Sequence, residues 1–522
     1  MSAAPSRLGV VGAGTMGAGI AQLGVLARMD TVLYDAFPEA LEPGRVRIEE
    51  GLRKGAERGR WSEDDASAAG ERLRTAGELS ELRDSELVIE AAPERPDLKR
   101  ELFGRLSQVC SRDVVIATNT SSILITSLAS AAARPENVVG MHFFNPPPLM
   151  ELVEIIAAEQ TGERAVEVAT AAAEAMGRRP IPAQDGPGFL VNRCNRPFGA
   201  EALRLLQERL ATPEQIDRIV RLGGGFRMGP FELMDLVGID VGYEVAQSFH
   251  AQSFGEPRWK PSPLQARMVA AGRLGRKTGR GWYDYSGEGR YRPEDPEPHE
   301  PGGGDGRRVA LQGGGAVARE LRERAREAGF DAREPDEFGG ADEPELVIDA
   351  AVPTRASNIG LATDGVPFLS ICAERSLAQS YTPEACGFHV LPPLDATRLV
   401  ELTRLPTTPD STADAAADFF SALGFETEWV DDAPGLVLGR IVCQLVNEAA
   451  FAIGEGVGSA NDVDAGLELG MHHPRGPIAW SEAIGVDHVL ATLDGLMAER
   501  GEERYRAAPL LGRAAATGAG IR

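Results

Sequence analysis

The chain has 522 residues, 43% of them hydrophobic and 25% charged, and a formal net charge of -24, which describes a globular chain with material for several domains and argues against nucleic acid or an anionic membrane as a partner. No apolar run approaches the 18 or more residues of a membrane span, and the chain opens on a Gly-interrupted strand and helix, not a targeting segment. Five scattered cysteines (Cys110, Cys194, Cys372, Cys386, Cys443) lack metal-ligand or paired spacing, so no metal site and no disulfide framework is expected, and a reduced cytoplasm fits.

The first element reads as strand, turn and helix: Arg7 to Val11, then Gly12-Ala13-Gly14-Thr15-Met16-Gly17, then a helix to Arg28. In that context the three glycines have separate tasks. Gly12 permits the tight turn, Gly14 lets a pyrophosphate approach the backbone and helix N-terminus, and Gly17 lets the helix pack on the strand. The next apolar run, Thr31 to Tyr34, ends at Asp35, about where a carboxylate takes the ribose hydroxyls and repels a 2'-phosphate, which favours NAD over NADP. Glu86 to Ala92 and Val114 to Asn119 are short apolar runs separated by helical patterns, as buried parallel strands of a doubly wound sheet require. Ligands bind at the carboxyl ends of such strands, so Asn119-Thr120-Ser121-Ser122 falls where a site is expected. Val138 to Met141 leads into His142-Phe143-Phe144-Asn145-Pro146, and Glu151 to Ile156 reads as another strand.

From Gly188 the pattern turns helical: Phe189 to Gln207, Thr212-Pro213-Glu214 with its helix-start signature, and Met228-Gly229-Pro230 opening a further helix. Residues 286–306 hold Pro, Gly and charge without periodicity and read as a flexible linker. The chain then repeats itself. One offset of 247 residues (142 to 389) aligns His142 with His389, Glu154 with Glu401, Gly188 with Gly435 and Asp217 with Asp464, but sets Gly439 opposite Asn192. The second glycine turn, Gly313 to Gly315, has Ala318 in place of the third glycine, and about forty residues found after Asp35 have no counterpart. Lysine occurs only at 54, 99, 260 and 277.

The runs GAGTMGAGIA, NTSS, HFFNPPPLMELVEI, GPGFLVNR, MGPFELMD and GRKTGRGWYDY, spread over residues 7–285, strongly resemble the L-3-hydroxyacyl-CoA dehydrogenase family, and the weaker second copy is similar to its two-repeat 3-hydroxybutyryl-CoA or 3-hydroxyadipyl-CoA dehydrogenase type. The resemblance implies NAD-dependent, reversible oxidation of a 3-hydroxyacyl-CoA to the 3-ketoacyl-CoA, in fatty-acid or aromatic-acid β-oxidation. His142, the first half's only histidine before 250, is the expected base for the hydroxyl proton, with Glu154 as its partner. By resemblance Ser121 and Asn192 hold the substrate, Glu94, Lys99, Asn119, Asn145 and Lys277 join Gly12, Gly14, Thr15, Met16, Gly17 and Asp35 around the cofactor, and Arg53 and Lys54 grip coenzyme A. Two readings stand beside it: a related NAD-dependent dehydrogenase of a sugar acid, and a non-catalytic acyl-CoA binding protein.

The expected architecture is therefore an α/β Rossmann-like NAD-binding domain (1–185) and an all-α C-terminal domain (186–285), duplicated after the linker as a shortened, degenerate Rossmann-like domain (307–432) and a second helical domain (433–522). His389 and Glu401 are expected to serve packing. The two helical segments are expected to form a pseudo-two-fold core within one chain, leaving room for a higher oligomer.

Overall fold

A computed structural model describes residues 4–287, 291–298, 300–339, 342–352, 365–380 and 384–522. Its contacts divide the chain into two compact units, Met1–Arg193 with Gly456–Met471, and Cys194–Glu455 with His472–Arg522.

The first unit holds an eight-stranded sheet: β1 Arg7–Val11, β2 Asp30–Tyr34, β3 Leu73–Ala76, β4 Leu87–Glu90, β5 Val115–Thr118, β6 Val138–Phe143, β7 Leu152–Ala157 and β8 Arg179–Gln184, in the order β3-β2-β1-β4-β5-β6-β7-β8. All neighbours are parallel except β6 and β7. The central strands are aliphatic and buried throughout, as strands covered by helices on both faces must be. Leu8, Val10, Leu33, Ile89, Val115 and Val139 form the core with helix α1 (Thr15–Leu26). The outermost strands, β3 and β8, have no sequence signal of their own. β8 carries Pro180 and Pro182, which an edge strand tolerates because one row of its N–H groups is unpaired. Helices α2 (Pro38–Glu57) and α3 (Glu63–Glu71) form the excursion between β2 and β3.

The second unit holds a seven-stranded sheet: β9 Arg308–Gln312, β10 Asp331–Arg333, β11 Leu346–Asp349, β12 Phe368–Ile371, β13 Cys386–His389, β14 Leu399–Arg404 and β15 Glu426–Trp429, in the order β10-β9-β11-β12-β13-β14-β15. The winding is the same with one strand fewer. The chain passes from β10 to β11 without counterparts of α2, α3 and β3, which locates the forty-residue gap read from the sequence.

The same unit carries the helices of both copies. The helix Pro213–Gly224 starts on a reciprocal Thr212–Gln215 capping box. Across the helical core, Arg258 bonds Glu448 at 2.8 Å and Tyr505 bonds Glu201 at 2.9 Å. These pairs exchange roles at the repeat offset, the reciprocal pattern of a pseudo-two-fold contact inside one chain. The unit boundaries follow this exchange more closely than the sequence boundaries drawn above. Gly456–Met471 belongs with the first sheet, where the Gln184 N–H donates to the Val457 carbonyl at 3.1 Å; in the second unit the Asp431 N–H donates to the Leu210 carbonyl at 2.9 Å. The connector is also held, and the expectation of a flexible linker does not fit its described residues: Tyr291 and Arg292 bond Glu232, Arg221 bonds Asp295, and the Gly302 and Gly304 amides donate to Ala422 and Ala328. No helix among the described residues is long and apolar enough to cross a membrane.

Candidate active site

At the end of β1, Gly12 has φ of 103° and a Cβ there would lie 2.6 Å from the Ala91 carbonyl oxygen, while a Cβ on Gly17 would overlap the Gly12 carbonyl. Only glycine fits both places. A Cβ on Gly14 would meet nothing within 4 Å: the space before helix α1 is open, as an approaching pyrophosphate needs. Thr15 is exposed and Met16 half-buried at the first turn of that helix. The Asp35 carboxylate closes β2 and accepts the Ala13 and Phe37 amides at 2.8 and 2.9 Å, so a fixed negative charge stands beside the glycine turn. These residues fit NAD, whose ribose offers hydroxyls where NADP carries a phosphate.

At the ends of β4 and β5 a buried polar network joins two loops. Glu90 accepts Lys99 Nζ and the Ala92 amide, both at 2.6 Å, and Thr118 Oγ1 at 2.7 Å. Thr118 in turn accepts the Thr120 amide, and Thr120 donates to Glu94. Glu94 also accepts the Ser121 and Ser122 amides and the Ser122 hydroxyl. Burial works to raise the Glu94 carboxyl, but the Lys99 charge and these hydrogen bonds outweigh it and hold it below the usual range. Lys99 is 1% exposed and its donors go to Glu90, the Ala92 carbonyl and Glu94, so it orders the Glu94 loop from beneath. Asn119 Oδ1 accepts the Phe143 amide and ties β5 to β6. Glu90 and Thr118 were not singled out in the sequence; the available signal was a polar residue closing each apolar strand.

β6 and β7 are antiparallel, and their register sets His142 directly opposite Glu154. His142 Nδ1 lies 2.6 Å from Glu154 Oε2, with Phe144 and Phe189 packed on the ring. The other oxygen, Oε1, accepts the Leu190 and Val191 amides, both at 2.9 Å. Those amides open α7 (Val191–Gln207), so a single carboxylate fixes the histidine ring and the start of the helix bearing Asn192. Ser121 and Asn192 are half-buried in this unit and Asn145 is exposed just beyond β6. Arg53 and Lys54 lie on the exposed face of α2, paired with Glu57 and Glu50. Lys277 belongs to the second unit, where it pairs with Asp240 at 2.6 Å.

The second copy keeps the frame and loses the bond. His389 still faces Glu401 across β13 and β14, and Glu401 still accepts two amides, those of Val437 and Leu438. Among the described residues neither ring nitrogen of His389 has a hydrogen-bond partner, and a Cβ on Gly439 would overlap the His389 ring. The ring occupies the room that a side chain at the Asn192 position needs. Burial pushes Glu401 up to about 8 and holds His389 well below the ordinary imidazole range.

A glycine turn on the first of several parallel strands, an acid closing the second, and a buried histidine–carboxylate pair define an NAD-binding dehydrogenase. Comparison with known proteins gives the particular family. Residues 7–186 match the model of the 3-hydroxyacyl-CoA dehydrogenase NAD binding domain, and residues 188–285 and 435–520 match that of the 3-hydroxyacyl-CoA dehydrogenase C-terminal domain. The 3-hydroxyadipyl-CoA dehydrogenase of Escherichia coli (strain K12) is 34% identical over 96% of either chain. A crystal structure of 3-hydroxybutyryl-CoA dehydrogenase from Escherichia coli K12 superposes with a TM-score of 0.82 at 31% identity, covering 99% of either chain. A probable 3-hydroxybutyryl-CoA dehydrogenase of Deinococcus radiodurans is 41% identical over its whole length and 53% of this chain. The chain belongs to the 3-hydroxyacyl-CoA dehydrogenase family, and it is an NAD-dependent oxidoreductase acting on a CH–OH group.

Proposed function

We propose that the first copy oxidises an L-3-hydroxyacyl-CoA reversibly to the 3-ketoacyl-CoA, with His142 as general base. The observation that carries this reading is the bond from His142 Nδ1 to Glu154. A carboxylate on Nδ1 keeps the proton on that nitrogen and leaves Nε2 as the acceptor, free to take the substrate's hydroxyl proton; the imidazolium then formed is stabilised by the same carboxylate. NAD, when bound, supplies the hydride acceptor. In this reading Ser121 donates a hydrogen bond to the reacting oxygen, Asn192 orients the acyl group, Glu94, Lys99, Asn119, Asn145 and Lys277 shape the cofactor end, and Arg53 and Lys54 hold coenzyme A.

The match in length to the 3-hydroxyadipyl-CoA dehydrogenase of Escherichia coli makes a dicarboxylic acyl chain the most informative arm of a substrate test. Initial rates with NADH against acetoacetyl-CoA, a long-chain 3-ketoacyl-CoA and 3-ketoadipyl-CoA decide the chain preference. No turnover on any of the three, with turnover on a keto acid lacking coenzyme A, would overturn the proposal.

A further inference from the structure

The cleft of the second copy has lost its chemistry and has not closed. Beside the glycine turn Gly313–Gly315 and the end of β11, a cavity of about 460 Å³ lies wholly within the second unit, in the size range of a small-molecule site. A Cβ on Gly314 or Gly315 would meet nothing within 4 Å. The helix that follows, Ala316–Glu327, runs twelve residues and no side chain caps its start, so its first amides and dipole are available to an anion. Arg319, on its first turn, lines the cavity, is exposed and has no ion-pair partner among the described residues.

The opposite wall is of another kind. Ser481 and His488, 1% and 5% exposed, both line the cavity, and among the described residues neither Ser481 Oγ nor His488 Nε2 has a hydrogen-bond partner. Polar atoms so buried are ordinarily paired, and leaving each unpaired costs about 1–3 kcal/mol. Asp487 stands beside them, Glu482 is bonded to Arg522, and Ile484 and Ile521 supply apolar surface. The lining therefore offers amides and a guanidinium at one end, and hydroxyl-seeking groups with apolar contact at the other. Glu334, at the end of β10, is taken by Arg322, so no free carboxylate corresponds to Asp35.

We propose that this cleft binds a nucleoside phosphate without transforming it: the phosphate sits on the glycine turn against Arg319, and the nucleoside lies toward Ser481, Asp487 and His488. A second binding function accounts for a glycine turn that stays open in a copy with Gly439 in place of Asn192.

The test counts ADP bound to the full chain by equilibrium dialysis. The unaltered protein is expected to bind two ADP. Gly14→Asp, which places a carboxylate in open space at the first glycine turn, is expected to leave one. Adding Arg319→Glu or Gly315→Asp to that background is expected to weaken the remaining site at least about tenfold, while Arg319→Glu alone leaves kcat with NADH unchanged. Unaltered melting temperatures show that these variants fold. The proposal is overturned if Gly14→Asp abolishes all ADP binding, if Arg319→Glu leaves the second site's affinity unchanged, or if inorganic pyrophosphate binds there as tightly as ADP.

Discussion

The two histidine–glutamate pairs stand at the same register of the same antiparallel strand pair, and only the first is joined. Glu154 divides its oxygens between His142 and the start of a helix. Glu401 gives both to the helix, and His389 turns into the space that Gly439 leaves. Sealed from water, the second pair lowers its energy by being neutral on both sides, since a buried charge without a matched partner is the more costly state. The comparison separates two jobs of one carboxylate. Capping the helix is kept in both copies, and holding the ring only in the first. The change from Asn192 to Gly439 accompanies the loss.

The strongest way to break the comparison is to remove one copy. Gly456–Met471 packs within the first unit: a Cβ on Gly458 would lie 2.6 Å from Leu190, one on Gly466 would lie 2.7 Å from Val191, and one on Gly470 would lie 3.1 Å from Leu152. A chain ending at Ser286 uncovers those apolar residues, and is expected to aggregate or dimerise; a soluble, fully active monomer on a sizing column would show that the second copy has no such role. Within the full chain, His142→Ala or Glu154→Gln is expected to lower kcat by about 10²–10⁴ while NADH affinity is kept. His389→Ala and Glu401→Gln are expected to leave most turnover. Equal losses in the two copies would mean two working sites.

Much of this was legible in the sequence because the signals are local. The glycine turn, Asp35, the aliphatic strands and the histidine each carry their meaning within a few residues, and the repeat offset predicts the missing excursion and the reciprocal helical contacts. What was not legible depends on the third dimension. Nothing in Arg179–Gln184 announces a strand, because an edge strand is specified by its neighbour. Glu90 and Lys99 meet by the winding of the sheet, nine residues apart in the chain and bonded at 2.6 Å. The packing of Gly456–Met471 within the first unit follows from three-dimensional contacts, which no local pattern encodes.

Lys99→Met tests whether the first copy can be pushed toward the second. In the second copy Asp349 stands where Glu90 does and, among the described residues, accepts the Ala351 amide with no cation beside it, and burial raises its carboxyl. Removing Lys99 leaves Glu90 similarly uncompensated, at a cost of about 3–5 kcal/mol. Urea midpoints are expected to fall accordingly, and Glu90→Gln in the same chain to restore part of the loss; an unchanged midpoint would show the pair to be dispensable. The reverse change, Gly439→Asn, pushes a side chain into the His389 ring and is expected to cost about 1–3 kcal/mol by overpacking. In a His389→Ala background that cost should vanish, a coupling that a double-mutant cycle reads directly. Additive effects would mean that the ring does not occupy the asparagine's place.

The smallest effect concerns acid. His488 packs edge-on against His389, and burial holds its imidazole down to about 4, against about 6.5 when unfolded. Between those values the unfolded chain binds the proton and the folded chain does not, so the stability due to the neutral ring is complete above pH 6.5 and is lost as pH falls toward 4. Glu401 has the opposite sign: its raised carboxyl is protonated when folded from about pH 4.5 to 8, and its contribution is lost as pH rises through 8. The two slopes oppose each other between pH 4.5 and 6.5. Replacing His488 by leucine removes only the first, so the dependence of unfolding free energy on pH in that window should drop by about 1.4 kcal/mol per pH unit, the weight of one proton. Urea midpoints at pH 7 and pH 5 measure it. A His488→Leu chain that loses as much stability on acidification as the unaltered protein would show that His488 is not held neutral, and that the second pair is not the sealed counterpart of the first.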